Sequence, residues 1–414
     1  MEKKSDTIHI VGGGISGLIA AQVLENHGLN PIVIEATDRV GGRVKTDVLN
    51  GFRLDQGFQV LLTAYPAAKK YLNYHSLELQ KFVPGASIFK DRKQKVIGDP
   101  LRDLSLIFST LFSGIGTVSD KLKILKLNSQ LKKKSIEAIF EEKEETTLRY
   151  LQNYGFSEGM ITDFFSPFFS GIFLETKLET SSRMFQFVYK MFGEGEAAVP
   201  KGGIEEIPKQ LKNNLIRTQF LFDTPVQNIK EGAITLEDGT KIESDYTIIA
   251  TEPTKLVSNL ANQGIGWKSC ETLYFKVPSR EIAKPIIGLI PDSNSLINNI
   301  FYPTSVENLS ADKSDLLSVT VIDNRGLNDQ ELIKKVEQEL TELCGIDAVE
   351  FLKLYRIPHA LPDLKDIQYS NLPSETHLSA GIVLAGDTQL NGSLNAAMIS
   401  GERAAMAVVE ALSN

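Results

Sequence analysis

Ile8-His9-Ile10-Val11-Gly12-Gly13-Gly14-Ile15-Ser16-Gly17, followed by Pro31-Ile32-Val33-Ile34-Glu35, is the stretch on which the fold turns. Residues 7–11 read as a buried parallel strand, 15–26 as a helix closed by Gly28, and 31–35 as a second strand. The turn carries the G-x-G-x-x-G spacing. Gly12 permits the tight strand-to-helix turn, Gly14 lets backbone approach a pyrophosphate, and Gly17 allows close packing of helix on strand. Ile15 and Ser16 open the helix at the point where free N–H groups and the helix dipole favour an anion. Glu35, with Ala36 beside it, ends the second strand, where a carboxylate can hold both ribose hydroxyls of an adenosine. The expectation is a doubly wound, Rossmann-like α/β domain that binds a dinucleotide.

Working outward, the far end of the chain supplies a second strand–loop–helix signal. Ile382-Val383-Leu384-Ala385-Gly386-Asp387 precedes Asn391-Gly392-Ser393-Leu394-Asn395-Ala396-Ala397, and a closing helix runs from near Leu394 to Leu412. Between the ends, 101–197 is helical and rich in Phe and Leu, and 207–215 is helical again. Short strands are expected at 218–222, 227–231, 233–237 and 247–250, with Asp238-Gly239 as a hairpin turn. Residues 267–322 look strand-rich, 329–343 helical, and 351–357 a further strand. The layout this predicts is discontinuous. Residues 1–80, 200–260 and 376–414 build the nucleotide domain, and 81–199 and 261–375 build an α+β substrate domain from the insertions.

Composition excludes several classes. A net charge of -8 argues against nucleic acid as the main partner, because phosphate binding needs a basic face. Cys270 and Cys344 are the two cysteines, too few and too widely spaced for a disulfide framework or a metal cluster. No metal is expected. Residues 1–6 lead into the first strand without an apolar run, and no stretch approaches the roughly 18 consecutive apolar residues of a spanning helix. The expectation is a cytoplasmic protein. Leu104 to Val118, followed by Lys121, Lys123, Lys126 and Lys132-Lys133-Lys134, leaves room for a peripheral membrane contact through an interfacial helix with a basic flank, against plain core.

The stretch Glu35-x-x-x-Arg39-Val40-Gly41-Gly42-Arg43-x-x-Thr46 makes the reading specific. Together with Asp387 and the Leu394-Asn395-Ala396-Ala397 segment, it resembles the flavin amine oxidase superfamily, which also holds phytoene desaturases and protoporphyrinogen oxidases. The resemblance implies FAD. It places Gly41 and Gly42 against the diphosphate, Arg39 and Arg43 in support of the cofactor, and Gly386 and Asp387 at the ribitol–diphosphate region. It also places Leu394, Asn395 and Ala396 under the flavin's pyrimidine ring, and Val226, in Asp223-Thr224-Pro225-Val226-Gln227, beside adenine. Arginine's planar fork suits phosphate oxygens, and a helix N-terminus suits the charge that a reduced flavin develops. Residues 384–397 contain neither cysteine nor histidine, the residue types that carry covalent flavin in this family, so the FAD is expected to be non-covalent.

The resemblance further implies a hydride leaving a substrate C–H bond for the flavin, with electrons passed on to dioxygen, a quinone or another carrier. An apolar, isoprenoid- or polyene-like substrate suits Phe164, Phe165, Phe168, Phe169 and Phe173, which read equally as core. A small amine is the alternative, and a flavin-dependent isomerisation without net redox change is a third. Lys276 is the one catalytic candidate, at the place of the amine branch's lysine, against a solvated lysine at a strand edge. The aromatic pair that cages an amine in that branch is not evident. Trp267 is distant in sequence from the closing motif and Tyr369 is the one nearby aromatic. Asp55-Gln56-Gly57-Phe58 matches a segment near the flavin ring, and His359 reads as structural.

Overall fold

A computed structural model describes residues 6–98, 114–261, 263–306, 314–347 and 349–413. Strand β1 (Ile8–Val11) is buried at all four positions and runs into helix α1 (Ile15–Asn26), then β2 (Ile32–Ile34). Three more parallel strands join these two: β3 (Gln219–Leu221), β4 (Tyr246–Ile249) and β6 (Ile382–Leu384). The sheet order is β3-β2-β1-β4-β6, with β5 (His377–Ser379) antiparallel on the outer edge. The chain leaves β1 toward one side and returns to the other at β4. The crevice between their carboxyl ends is therefore the topological switch point, where open α/β sheets bind ligands. The fold is mixed α/β, with helix α1 packed against the closing helix Leu394–Ser413 on one face of this sheet.

That packing is close because glycine permits it. A Cβ on Gly401 of the closing helix would lie 2.2 Å from the Ser16 carbonyl oxygen of α1. The other face is covered by a three-stranded antiparallel sheet, Val226–Lys230, Ala233–Leu236 and Lys241–Glu243, whose Ile229 and Ile234 bury against Val11, Ile34 and Ile249. The Asp238-Gly239 turn is present, but the strand it leads into is Lys241–Glu243, which the sequence reading passed over.

The insertions form a seven-stranded sheet in the order Glu350–Asp363, Gly266–Val277, Asp315–Val321, Ile297–Phe301, Ile287–Leu289, Gly85–Lys90, Lys93–Gly98. The hairpin at 85–98 was not expected from the sequence. The strand read at 351–357 is twice that length, because it continues through Pro358 and Pro362. Proline lacks the N–H a central strand needs, and this strand tolerates two because it lies at the sheet edge. Helices α2 (Val118–Lys133), α3 (Ser166–Phe173) and α4 (Ser182–Glu194) fill the Phe-rich insertion. Phe165, Phe169, Phe173, Phe185 and Phe187 are fully buried there and pack ring against ring. Residues 104–113 of the expected interfacial helix lie outside the described residues. No described helix is long and apolar enough to cross a membrane.

Candidate functional site

A cavity of about 1190 Å³ runs from the first turn of α1 to the helices of the insertion. Ordinary small-molecule pockets hold roughly 300–1,000 Å³, so this one has room for a dinucleotide and more. Its walls include Gly12, Gly14, Ile15, Ser16, Glu35, Gly41, Gly42, Arg43, Gly386, Asp387 and Leu394, so the fold gathers these motif residues, separated by more than 300 positions, around one space. Ala250, Thr251 and Glu252 at the end of β4 complete the switch-point crevice.

At the β1–α1 turn, Gly14 caps α1 with no side chain, and the first helical turn holds no acidic residue. The α1 N-terminus therefore has no side-chain cap hydrogen bond, which leaves its first N–H groups to take an anion. Glu35, 8% exposed, accepts the Gly13 N–H at 2.7 Å on one oxygen and the Thr37 N–H and hydroxyl at 3.0 and 2.8 Å on the other. The double glycine lies against the same turn. Gly41 donates its N–H to the Gly13 carbonyl at 2.9 Å, and a Cβ on Gly42 would stand 3.3 Å from the Gly14 Cα. Gly41 has φ +125°, and a Cβ on it would meet the Val44 carbonyl oxygen at 2.4 Å, so only glycine fits.

Arg43 joins the two ends of the chain. Its guanidinium sits 2.5 Å from Asp387, 5.4 Å from the centre of the Trp267 ring, and donates to the Ala360 carbonyl at 3.3 Å. Trp267 also stacks on His359 at 5.0 Å, and the buried Trp267 Nε1–H has no hydrogen-bond partner. Trp267 and His359 both line the cavity, and sequence distance hid them. The pairing of Trp267 with Pro362 in the two long strands is what carries the indole to Arg43. Cys270 likewise lines the cavity, despite lying over a hundred residues upstream of the closing motif. Its thiol is pushed up to about 12 by burial and by the charge of Glu271, so it stays protonated.

Other residues named from sequence stand outside the lining set. Arg39 is engaged by Asp47 at 2.8 Å and Glu205 at 2.9 Å. Burial opposes ionisation of Asp47, but hydrogen bonds from Gln56, Tyr355 and Arg39 outweigh it and hold the carboxyl below its usual range. Gly17, Ala36, Val226, Asn395 and Ala396 do not line the cavity. Gly17 and Asn395 act one layer behind, the first in backbone packing and the second by accepting the Ala67 N–H at 3.0 Å. Tyr369 packs against Phe140 and Phe187, away from the cavity lining. Lys276 is not a lining residue either, because it sits eight residues along the strand from Lys268, roughly 26 Å at strand rise. Two lysines do line the cavity, Lys268 and Lys365, and the Lys268 Nζ donates to the Thr180 hydroxyl at 3.0 Å.

Asp55, directly before the lining residues Gln56 and Gly57, is raised from 3.8 to about 6. Burial dominates, hydrogen bonds from Thr46 and the Ile204 N–H oppose it, and the charge of Glu205 reinforces it. A raised folded value means that this group's stabilising contribution is whole below pH 3.8 and lost as pH rises through about 6. The loss amounts to at most about 3 kcal/mol. Asp55→Asn is therefore expected to flatten the dependence of urea-unfolding stability on pH across this window and to raise stability near pH 7. Parallel curves for the two proteins would contradict the assignment.

The chain is 28% identical over 170 residues to protoporphyrinogen oxidase 2, chloroplastic/mitochondrial, of Arabidopsis thaliana, covering 40% of this chain and 32% of that protein. It is 26% identical over 266 residues to the L-amino-acid oxidase BmooLAAO-I of Bothrops moojeni, covering 58% of this chain and 51% of that one. The chain thus spans between a third and a half of the length of these relatives. Cyclohexylamine oxidase from Brevibacterium oxydans shares the fold, with a TM-score of 0.71 at 16% identity over 99% of this chain and 100% of that one. The pattern that describes flavin containing amine oxidoreductases matches residues 15–409, and the chain belongs to that family.

Proposed function

We propose that the chain is an FAD-dependent oxidoreductase that binds its cofactor non-covalently and acts on a largely apolar substrate of isoprenoid or polyene type. The observation that carries this reading is the continuity of one cavity from the uncapped α1 turn to the Phe-rich helices. The residues present suit a flavin dinucleotide. Free N–H groups of α1 and the close glycine pair Gly14 and Gly42 suit a diphosphate, and the Glu35 oxygen that accepts the Gly13 N–H keeps a lone pair for a ribose hydroxyl. A bound flavin supplies the acceptor for a hydride leaving a substrate C–H bond.

The protein's own part is to bind, orient and exclude water. Arg43, fixed by Asp387 and Trp267, presents a rigid cation to the cofactor side of the cavity. Phe164, Phe168, Phe169, Phe173 and Phe192 wall the substrate side, where each buried CH₂ of a ligand contributes about 0.8 kcal/mol. Within that wall, buried Asn299 and Thr320 bond to each other at 3.2 Å and offer a polar contact for one oriented group. Glu144, Glu175 and Glu179 also line the cavity, and these carboxylates favour the second reading, a small amine.

Acid denaturation is expected to release all the flavin to the supernatant, where chromatography identifies FAD, whereas flavin held in the pellet would refute non-covalent binding. Anaerobic mixing then separates the chemistries. Bleaching by an isoprenoid supports the main reading, bleaching by amines alone moves amine oxidation to the front, and product formed while the flavin remains oxidised indicates isomerisation.

A further inference from the structure

Helix α2 has two faces of opposite use. Inward, Leu127 and Leu131 are buried, and Ile124 and Asn128 line the cavity. Outward, Val118, Leu122 and Leu125 are 73%, 63% and 40% exposed. Their i, i+4, i+7 spacing sets them in one stripe along the helix. Exposed Lys126, Ser129, Lys132 and Lys133 continue that stripe toward the C-terminus. Single exposed apolar residues are ordinary on a soluble surface, but three aligned on one helix mark a contact face.

The charge beside the stripe says what covers it. Residues 118–134 hold six lysines and one carboxylate, a local excess of five positive charges in a chain of net charge -8. The carboxylate is Asp120, fully buried and committed to the Thr117 capping box and to Ser157. Lys123 is drawn to the Gly155 carbonyl and Lys134 to Glu142, whereas Lys132 and Lys133 stand exposed on the outer face, as does Lys126, whose Nζ lies 6.0 Å from the centre of the Tyr154 ring.

We propose that the outer face of α2 docks the protein on an anionic membrane surface, with Val118, Leu122 and Leu125 entering the headgroup boundary and Lys126, Lys132 and Lys133 meeting lipid phosphates. An amphipathic helix with an apolar stripe and a lysine flank lies in the interface without crossing it. A second copy seated symmetrically on the same face would bring a second set of lysines against the first. Docking also sets α2 alone between the bilayer and the cavity that Ile124 and Asn128 line, which brings the cavity within one helix of the phase in which an apolar substrate dissolves. That consequence rests on the proposed substrate class, while the docking itself does not.

The test is cosedimentation of the flavin-loaded 414-residue chain with phosphatidylcholine vesicles, with and without about a third of phosphatidylglycerol, at rising salt. The wild type is expected to bind the anionic vesicles, and to bind less as salt rises. L122D/L125D and K132E/K133E are each expected to bind about tenfold more weakly with flavin content and melting temperature unchanged. The proposal is overturned if the wild type does not sediment with the vesicles, or if both variants bind as it does. It is also overturned if Leu122→Asp lowers the melting temperature or dissolves a dimer while the wild type ignores vesicles, since the face is then covered by protein. Because the readout is lipid binding, a colourless chain that still docked would sink the flavin reading and leave this one standing.

Discussion

Gly17→Ala is expected to yield a colourless, destabilised protein. A Cβ at position 17 would stand 2.0 Å from the Gly12 carbonyl oxygen and 3.3 Å from the Ala250 Cβ. Neither neighbour can yield. Gly12 is fixed by its N–H bond to the Ile34 carbonyl at 2.8 Å, and Ala250 by its own to the Val11 carbonyl at 2.8 Å. Relief therefore requires α1 to tilt away from β1, which opens the turn that presents N–H groups to the diphosphate. Overpacking of this kind costs about 3 kcal/mol when backbone must move. The measurements are the flavin-to-protein absorbance ratio after purification and thermal unfolding. Gly28→Ala is the control. Gly28, unlike the helical Gly17, needs a left-handed backbone, at φ +81°, but nothing lies within 4 Å of its added Cβ. It should lose only the roughly 1–2 kcal/mol of that conformation and keep its flavin. Equal flavin content in the two variants would show that close helix–strand packing at Gly17 does not shape the cofactor turn.

The sequence was most legible where one local signal decides the structure. Strand β1 and helix α1 match the reading within a residue, because a buried apolar run, a glycine turn and a helical period follow one another without conflict. The closing helix is as clear. Legibility failed where the structure depends on partners distant in sequence. Pro358 argues against a strand, and the edge position that tolerates it is a property of the sheet, so the strand reading stopped at Ile357. Lys241–Glu243, three residues with two of them charged, carries no strand signal apart from its pairing with Ala233–Leu236. The same limit governed the site. Glycines and Glu35 declare themselves by spacing, whereas Trp267, His359, Lys268 and Cys270 line the cavity because two long strands pair, with a register shift between Lys268 and Cys270. Arg39 shows the converse. Its motif position pointed to the cofactor, but Glu205, some 160 residues away, captures the side chain.

Glu35→Ala is expected to weaken FAD binding by about 1–3 kcal/mol, roughly five- to 150-fold in dissociation constant. Two effects combine in that figure. The carboxylate would no longer reach ribose hydroxyls, and the Gly13 N–H, Thr37 N–H and Thr37 hydroxyl would lose their acceptor, loosening the turn itself. The two can be separated by choice of ligand, because FMN has the isoalloxazine and one phosphate but no adenosine. If ribose binding dominates, titration of the apoprotein followed by flavin fluorescence should show a large loss of affinity for FAD and little change for FMN. If the loosened turn dominates, both ligands should weaken together, since the phosphate-facing N–H groups serve each of them. Glu35→Gln sharpens the comparison. It keeps an oxygen for the Gly13 N–H but sets an NH₂ against the Thr37 donors, so it should fall between wild type and alanine for FAD. An FAD affinity unchanged in Glu35→Ala would remove Glu35 from the site and leave its carboxylate as a clamp on the β1–α1 turn.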